Sequence, residues 1–162
     1  MIAQCADNKL FQELCPLADS SVMRGEREEL ILRFFAYSDK YTEFEHSVKD
    51  FLNDYLKEKN QEFKNGVPEK YKNEFEQMLN FVKKYIGSFA KTETAKTTPR
   101  VRFEAIAVGI NLALKEQPKR VKYNIDWLYS EEFKEQTTSD ASNNKSKLRS
   151  RIEFVKNKLL GS

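Results

Sequence analysis

Few residues of this chain are of the types that could form a catalytic site. Its one histidine, His46, stands at the polar start of a predicted helix, and no second histidine completes a zinc pair. Cys5 and Cys15 form neither a C-x-x-C motif nor the signature of a cysteine hydrolase. Glycine-rich phosphate loops of the G-x-x-x-x-G-K-[ST] and G-x-G-x-x-G types are also missing. We therefore expect no catalytic residue, no metal site and no cofactor, so that the chain alone is not an enzyme.

Two carboxylates stand beside aromatic residues that helical periodicity assigns to the core. They are Glu29, ahead of Phe34 and Phe35, and Glu104, next to Phe103. A carboxylate in such surroundings can bind a metal or have a shifted pKa. The more common alternative is an ion pair or helix cap that fixes helix packing. Arg33, four residues after Glu29, is the expected partner for that acid.

Basic residues are concentrated in the second half of the chain. Residues 1–80 carry a net charge of −5 and residues 81–162 a net charge of +8, within an overall charge of +3. Such asymmetry suits an anionic partner such as DNA, although solvated surface charge is the alternative. The candidate nucleic-acid-binding residues are Lys145, Lys147, Arg149, Arg151 and Lys156 in the last predicted helix, with Arg100, Arg102, Lys119 and Arg120 extending the patch.

Helices must position these side chains, because apolar residues recur with the helical period. The predicted helices span 9–15, 25–37, 44–59, 68–90, 99–115 and 145–160, with short turns near 125–133 and a serine-rich loop around Ser20 and Ser21. The helix near 102–115 is apolar on nearly every side and should be central, with Gly109 permitting close approach of a neighbour. The stripe Tyr71, Phe75, Met78, Val82, Tyr85 and Phe89 predicts a core face.

These patterns predict an all-α fold, an irregular bundle of six to eight helices. We expect one domain, 1–162, in which 1–23 form a short helix and loop, 24–90 a first helical group and 99–160 a second. Two unpaired thiols and no recognisable signal peptide favour the cytoplasm. The longest apolar stretch falls far short of the roughly 20 residues of a membrane span, so no membrane association is expected.

Four stretches, in this order, are similar to segments of the DUF262 family. Residues 29–36 (E-L-I-L-R-F-F-A) resemble its E-L-V-L-R-F-L-A signature, and residues 51–56 (F-L-N-D-Y-L) its F-L-N-x-Y-M segment. Residues 103–105 resemble its F-E-A helix, and 138–143 with 149–155 resemble its T-S-D-x-S-N loop and R-I helix. Together they span most of residues 24–160. The matching residues expected to fix helix packing are Glu29, Arg33, Asn53, Phe103, Glu104, Asp140 and Arg151, of which Arg151 is the most open to a DNA role.

The resemblance implies a part in GmrSD-type restriction systems, which act against modified phage DNA. In that family, a ParB-like domain with a D-G-Q-Q-R motif carries the nucleotide-binding or nuclease chemistry. This chain contains neither that motif nor an H-N-H pattern, so the family's catalytic residues have no counterpart here. The resemblance thus implies a helical accessory region, with a catalytic domain or subunit of the same system, DNA and other copies of the chain as partners. The alternative is a stand-alone DNA-binding protein that uses the basic last helix.

Overall fold

The computed structural model describes residues 1–92, 94–138 and 144–161. In these ranges the chain forms nine α-helices and no β-strand, which confirms the all-α prediction. The helices are α1 (Ile2–Ala6), α2 (Lys9–Leu14), α3 (Asp19–Met23), α4 (Glu26–Lys40), α5 (Val48–Glu62), α6 (Glu69–Phe81), α7 (Arg100–Glu116), α8 (Glu131–Gln136) and α9 (Lys145–Leu160). Short 3₁₀ turns cover Tyr41–Glu43 and Asp126–Tyr129, and a π-helical turn covers Val82–Ile86.

Polar side chains at several helix starts fix where those helices begin. Asn8 accepts a hydrogen bond from the Phe11 amide at 3.1 Å, and Asn144 accepts one from the Ser146 amide at 2.8 Å. Each bond satisfies an amide that the first helical turn leaves without a backbone partner. At the other end of α9, Gly161 adopts a left-handed conformation with φ of 75°, as the sequence predicts for a glycine C-cap.

Helix α7 occupies the centre of the bundle. Every residue from Val101 to Asn111 is buried, and the helix packs against α4, α6 and α9. Helix α9 lies very close to α7 at Gly109, where an added Cβ would lie 2.5 Å from the Cβ atom of Val155. This confirms that the apolar helix is central and that Gly109 permits close packing. Leu148, Ile152, Val155 and Leu159 form the buried stripe of α9, as predicted, and Ile152 and Val155 lie at this contact.

The predicted helix over 68–90 is too long at its C-terminal end. Regular α-helix stops at Phe81, and a π-helical turn follows, in which the Gly87 amide donates to the Val82 carbonyl at 2.8 Å. Gly87 then turns the chain with φ of 91°, a conformation that favours glycine. Phe89 is fully buried from the following loop, where its amide donates to Leu14. The apolar spacing therefore continues beyond the helix itself.

The N-terminal third also differs from the prediction. Residues 2–6 form α1, and the supposed serine-rich loop contains α3, in which Asp19 lies in the first turn. An acidic residue there interacts favourably with the helix dipole. Helix α5 begins at Val48 rather than Phe44, because Ser47 caps the Asp50 amide at 3.3 Å. Among the described residues, no helix is long and apolar enough to cross a membrane.

Candidate functional site

Four charged side chains from three helices meet inside the bundle; we call them the Glu104 cluster. Arg33 Nη1 donates to Glu104 Oε1 at 2.7 Å, and Arg151 Nη2 donates to Glu104 Oε2 at 2.5 Å. The other side of the Arg33 guanidinium, Nε and Nη2, donates to Glu29 Oε1 at 2.9 and 2.7 Å. Glu104 and Arg151 are each 1% exposed, whereas the Glu29 side chain is 41% exposed. The cluster therefore runs from the surface into the core.

The helices bring these residues together through their apolar faces. Helix α4 supplies Glu29 and Arg33, one turn apart on the side that packs against α7. Glu104 lies in the buried first half of α7, and Arg151 lies on the buried stripe of α9, three residues after Leu148. Burying these charges is tolerated because they form hydrogen-bonded opposite pairs.

Burial and charge both affect the titrating groups at this site. Burial acts to lower the pKa of Arg33, but Glu104 and Glu29 reverse this, and the net pKa is raised. For Tyr37, burial first and the Glu104 charge second raise the pKa of the phenol. The guanidinium of Arg33 thus stays charged and the Tyr37 phenol stays neutral well above neutral pH.

The arrangement is suited to holding helices together rather than to reacting. Both carboxylate oxygens of Glu104 accept hydrogen bonds from arginines, whose positive charges disfavour a metal ion at this carboxylate. In the described part of the chain, no group of three or more metal-ligating side chains occurs. The predicted Glu29–Arg33 pair is confirmed, and the ion-pair interpretation of Glu104 is the one that the geometry supports.

Two of the candidate DNA-contact residues are buried. Arg151 is inside the Glu104 cluster, and Arg102 is 8% exposed, with its Nε donating to the Phe89 carbonyl at 3.0 Å. Phosphate contacts require solvent-facing cations, so this geometry corrects the prediction for both. A signal was present in the sequence, because Arg151 lies three residues after Leu148 and four before Val155, on the apolar stripe.

The other basic candidates fall into two groups. Four contact distant residues of the chain: Arg149 with the Thr42 carbonyl, Lys145 with Glu45, Lys156 with Glu116 at 3.1 Å, and Arg100 with Glu26 at 3.6 Å. Lys147, Lys119 and Arg120 are exposed, and Arg120 donates locally to Gln117 Oε1 at 3.1 Å. The last helix is thus less available to DNA than its composition suggests.

The remaining family-matched residues have different surroundings. Phe103 is fully buried and contacts Phe11 and Phe89 in the aromatic core. Asn53 is exposed on α5, so its predicted role in helix packing is wrong. Asp140 lies outside the described residues.

The histidine and the two cysteines offer no nucleophile–base pair to solvent. His46 is exposed, as expected for a surface histidine, while Cys5 and Cys15 are both buried free thiols. Burial raises the pKa of the Cys15 thiol from 9.0 to about 12, which keeps it protonated and unreactive.

A second polar cluster, around Asp39 at the end of α4, was not predicted. Asp39 Oδ2 accepts hydrogen bonds from the Tyr55 hydroxyl at 2.8 Å and the Tyr71 hydroxyl at 3.1 Å. Lys59 Nζ lies 3.7 Å from the same oxygen and 5.5 to 5.7 Å from the ring centres of Tyr55, Phe63 and Tyr71. In the sequence, both tyrosines are recognisable only as members of apolar helix stripes. Nothing in their spacing indicates that their hydroxyl groups would contact Asp39.

Comparisons with models of protein families, with curated proteins and with solved structures found no match to this chain. The resemblance to DUF262 therefore rests on the four segments alone and stays a hypothesis.

Proposed function

We propose that this chain is the helical accessory region of a DUF262-type restriction protein in the cytoplasm. It would support a nuclease or nucleotide-binding domain that carries the chemistry. One observation carries the proposal: polar residues from three of the four resembling segments meet in the Glu104 cluster. Glu29 and Arg33 come from the first segment, Glu104 from the third and Arg151 from the last.

The way in which the cluster connects three helices supports a scaffolding role. It ties α4, α7 and α9 together at their buried faces, so the surface of the bundle keeps a fixed shape. A rigid helical support is what a catalytic domain needs when its own active site depends on accurate placement. DNA contact and self-association remain part of the proposal as further properties of the assembled protein.

The proposal is tested by binding to a ParB-like domain. The reading frames beside the one encoding this chain are expected to include a D-G-Q-Q-R segment. That domain, purified, should form a complex with this chain that is detected by analytical ultracentrifugation. Lys57→Ala changes an exposed side chain in the acidic half of the chain, residues 1–80, and is the folded control, which should bind the domain as the wild-type chain does. If no such segment is encoded nearby and the two proteins do not associate, the scaffold proposal is wrong.

The alternative is a stand-alone DNA-binding protein. The exposed cations Lys147, Lys119 and Arg120 favour it, but the contacts that Lys145, Arg149, Arg151 and Lys156 make within the chain count against it. DNA binding by the isolated chain that weakens with added salt would favour this alternative.

A further inference from the structure

A cavity of about 630 Å³ lies between the end of α2, the loop that follows the π-helical turn, and the start of α7. Its apolar lining includes Pro16, Ile86, Ala95 and Leu128. Arg102 also lines it, and Tyr129, at 69% exposure, lies at its rim. The cavity has no part in the Glu104 cluster, which lies on other residues.

Arg102 differs from the other buried arginines of the core in what balances its charge. Arg33 and Arg151 each donate to a carboxylate oxygen of Glu104. Arg102 is 8% exposed, yet within the described ranges no carboxylate forms an ion pair with it. Among the described residues, Nε donates to the Phe89 carbonyl at 3.0 Å and the guanidinium lies over the Phe133 ring, whose centre is 5.1 Å from Cζ.

These contacts leave the outer edge of the guanidinium available. The Phe133 ring covers one face and the Phe89 carbonyl accepts from Nε, while neither Nη group hydrogen-bonds to a described residue. Burial lowers the pKa of Arg102, the direction expected for a cation without a compensating carboxylate. A buried charge of this kind is costly unless an anion pairs with it.

We propose that the cavity is a binding site for a small molecule that carries a carboxylate or phosphate group on an apolar body. The two Nη groups of Arg102 bind the anionic group side by side, the geometry that a guanidinium offers to both oxyanions. Pro16, Ile86 and Leu128 contact the apolar body. Glu13 and Lys91, both exposed on the lining, have opposite charges, so among the described lining residues Arg102 supplies the unbalanced positive charge.

The test uses benzoate for the carboxylate arm and phenyl phosphate for the phosphate arm. Each is titrated into the full chain at low ionic strength and followed by calorimetry. At least one should bind saturably, and the arm that binds more tightly identifies the anionic group. Arg102→Met should weaken binding by about tenfold or more, because it removes the charged hydrogen bonds. Arg100→Met, which removes a half-exposed arginine two residues away, is the matched control and should leave binding unchanged.

A second variant covers the case in which Arg102→Met does not fold. Ala95→Trp keeps Arg102 but fills the cavity from a half-buried loop position, so it should abolish binding. The proposal is overturned if neither compound binds the wild-type chain saturably. It is also overturned if binding persists in Ala95→Trp and in a folded Arg102→Met protein.

Discussion

Glu104 Oε1 accepts a hydrogen bond from Arg33 Nη1 at 2.7 Å, although the two residues are 71 positions apart in the chain. The other oxygen of the same carboxylate accepts a hydrogen bond from Arg151, so one acid contacts two buried cations. The Glu104 cluster is therefore asymmetric: removing the acid leaves two charges without their shared partner, whereas removing one cation leaves a pair intact.

Glu104→Gln should destabilise the chain severely. The amide keeps the shape of the carboxylate but not its charge, so the guanidinium groups of Arg33 and Arg151 lose the buried carboxylate that they share. Breaking a buried pair in this way typically costs about 3–5 kcal/mol. Urea denaturation followed by circular dichroism measures the change in the free energy of unfolding.

Glu29→Gln is the matched control for that experiment. Its side chain is 41% exposed and water screens its pair with Arg33, so the expected loss is no more than about 1 kcal/mol. Equal losses in the free energy of unfolding for the two variants would contradict the conclusion that Glu104 contributes more to stability than Glu29.

Gly109→Ala should destabilise the protein despite the better helix preference of alanine. Alanine gains about 1 kcal/mol in a helix interior, but the new methyl group would lie 2.5 Å from Val155 Cβ and 3.0 Å from the Ile152 carbonyl oxygen. Overpacking of this kind costs about 1–3 kcal/mol. Thermal unfolding of Gly109→Ala, Val155→Gly and the double variant measures it, because glycine removes the Cβ atom that the new methyl group would meet. The double variant should lose less stability than the sum of the losses in the two single variants. Strict additivity would count against the close packing at Gly109.

Stability should fall as the pH rises from about 9 to about 12. Burial raises the pKa of Cys15 from 9.0 to about 12, so in this window the unfolded chain has lost the thiol proton and the folded chain retains it. The folded state binds more protons, and the free energy of unfolding therefore decreases by up to about 1.4 kcal/mol per pH unit from this group.

Cys15→Ala isolates the contribution of the thiol to that slope. The variant loses packing at every pH, so the slope of stability against pH is compared rather than its absolute value. A shallower decline in Cys15→Ala between pH 9 and 11 is expected. Part of the decline should remain, because the pKa values of Tyr37 and Tyr55 are also raised. An unchanged slope would contradict the assignment of part of the decline to the Cys15 thiol.

The surface cations give a sharp test of the DNA-binding alternative. If the chain binds DNA, Lys119→Ala combined with Arg120→Ala should reduce the salt dependence of the affinity, by about one unit of slope for each phosphate that is no longer neutralised. Arg151→Ala should instead lower the melting temperature, since this side chain pairs with Glu104 in the core. Fluorescence anisotropy on folded protein, checked by circular dichroism, separates the two effects. A folded Arg151→Ala protein that binds DNA more weakly would contradict this assignment.

The sequence was sufficient to predict most of the helices. Long periodic segments such as α7 and α9 are set by their own apolar spacing, and a local signal, Gly161, marks the end of α9. Where the prediction fails, the deciding contacts are distant in sequence. The loop after Val82–Ile86 is held by the Phe89 amide on the Leu14 carbonyl, a contact that no local pattern reveals.

The candidate site was predictable only in part. Spacing alone indicates the Glu29–Arg33 pair, because both residues lie on one helix. Joining Arg33 to Glu104, and Glu104 to Arg151, requires the packing of three helices, and periodicity does not fix which faces meet. Basic composition pointed to DNA for Arg151, but its place on the apolar stripe of α9 was the more informative feature.

The burial of α7 from Val101 to Asn111 sets how its backbone amides exchange with solvent hydrogen. Enclosed by α4, α6 and α9, these amides should exchange only when the whole bundle opens, whereas the short α3, which buries none of its residues, exchanges through local fluctuations. Slow exchange in α7 therefore reports the global free energy of the chain. A partner domain or a cavity ligand that stabilises the folded state would register there, even when it binds far from that helix.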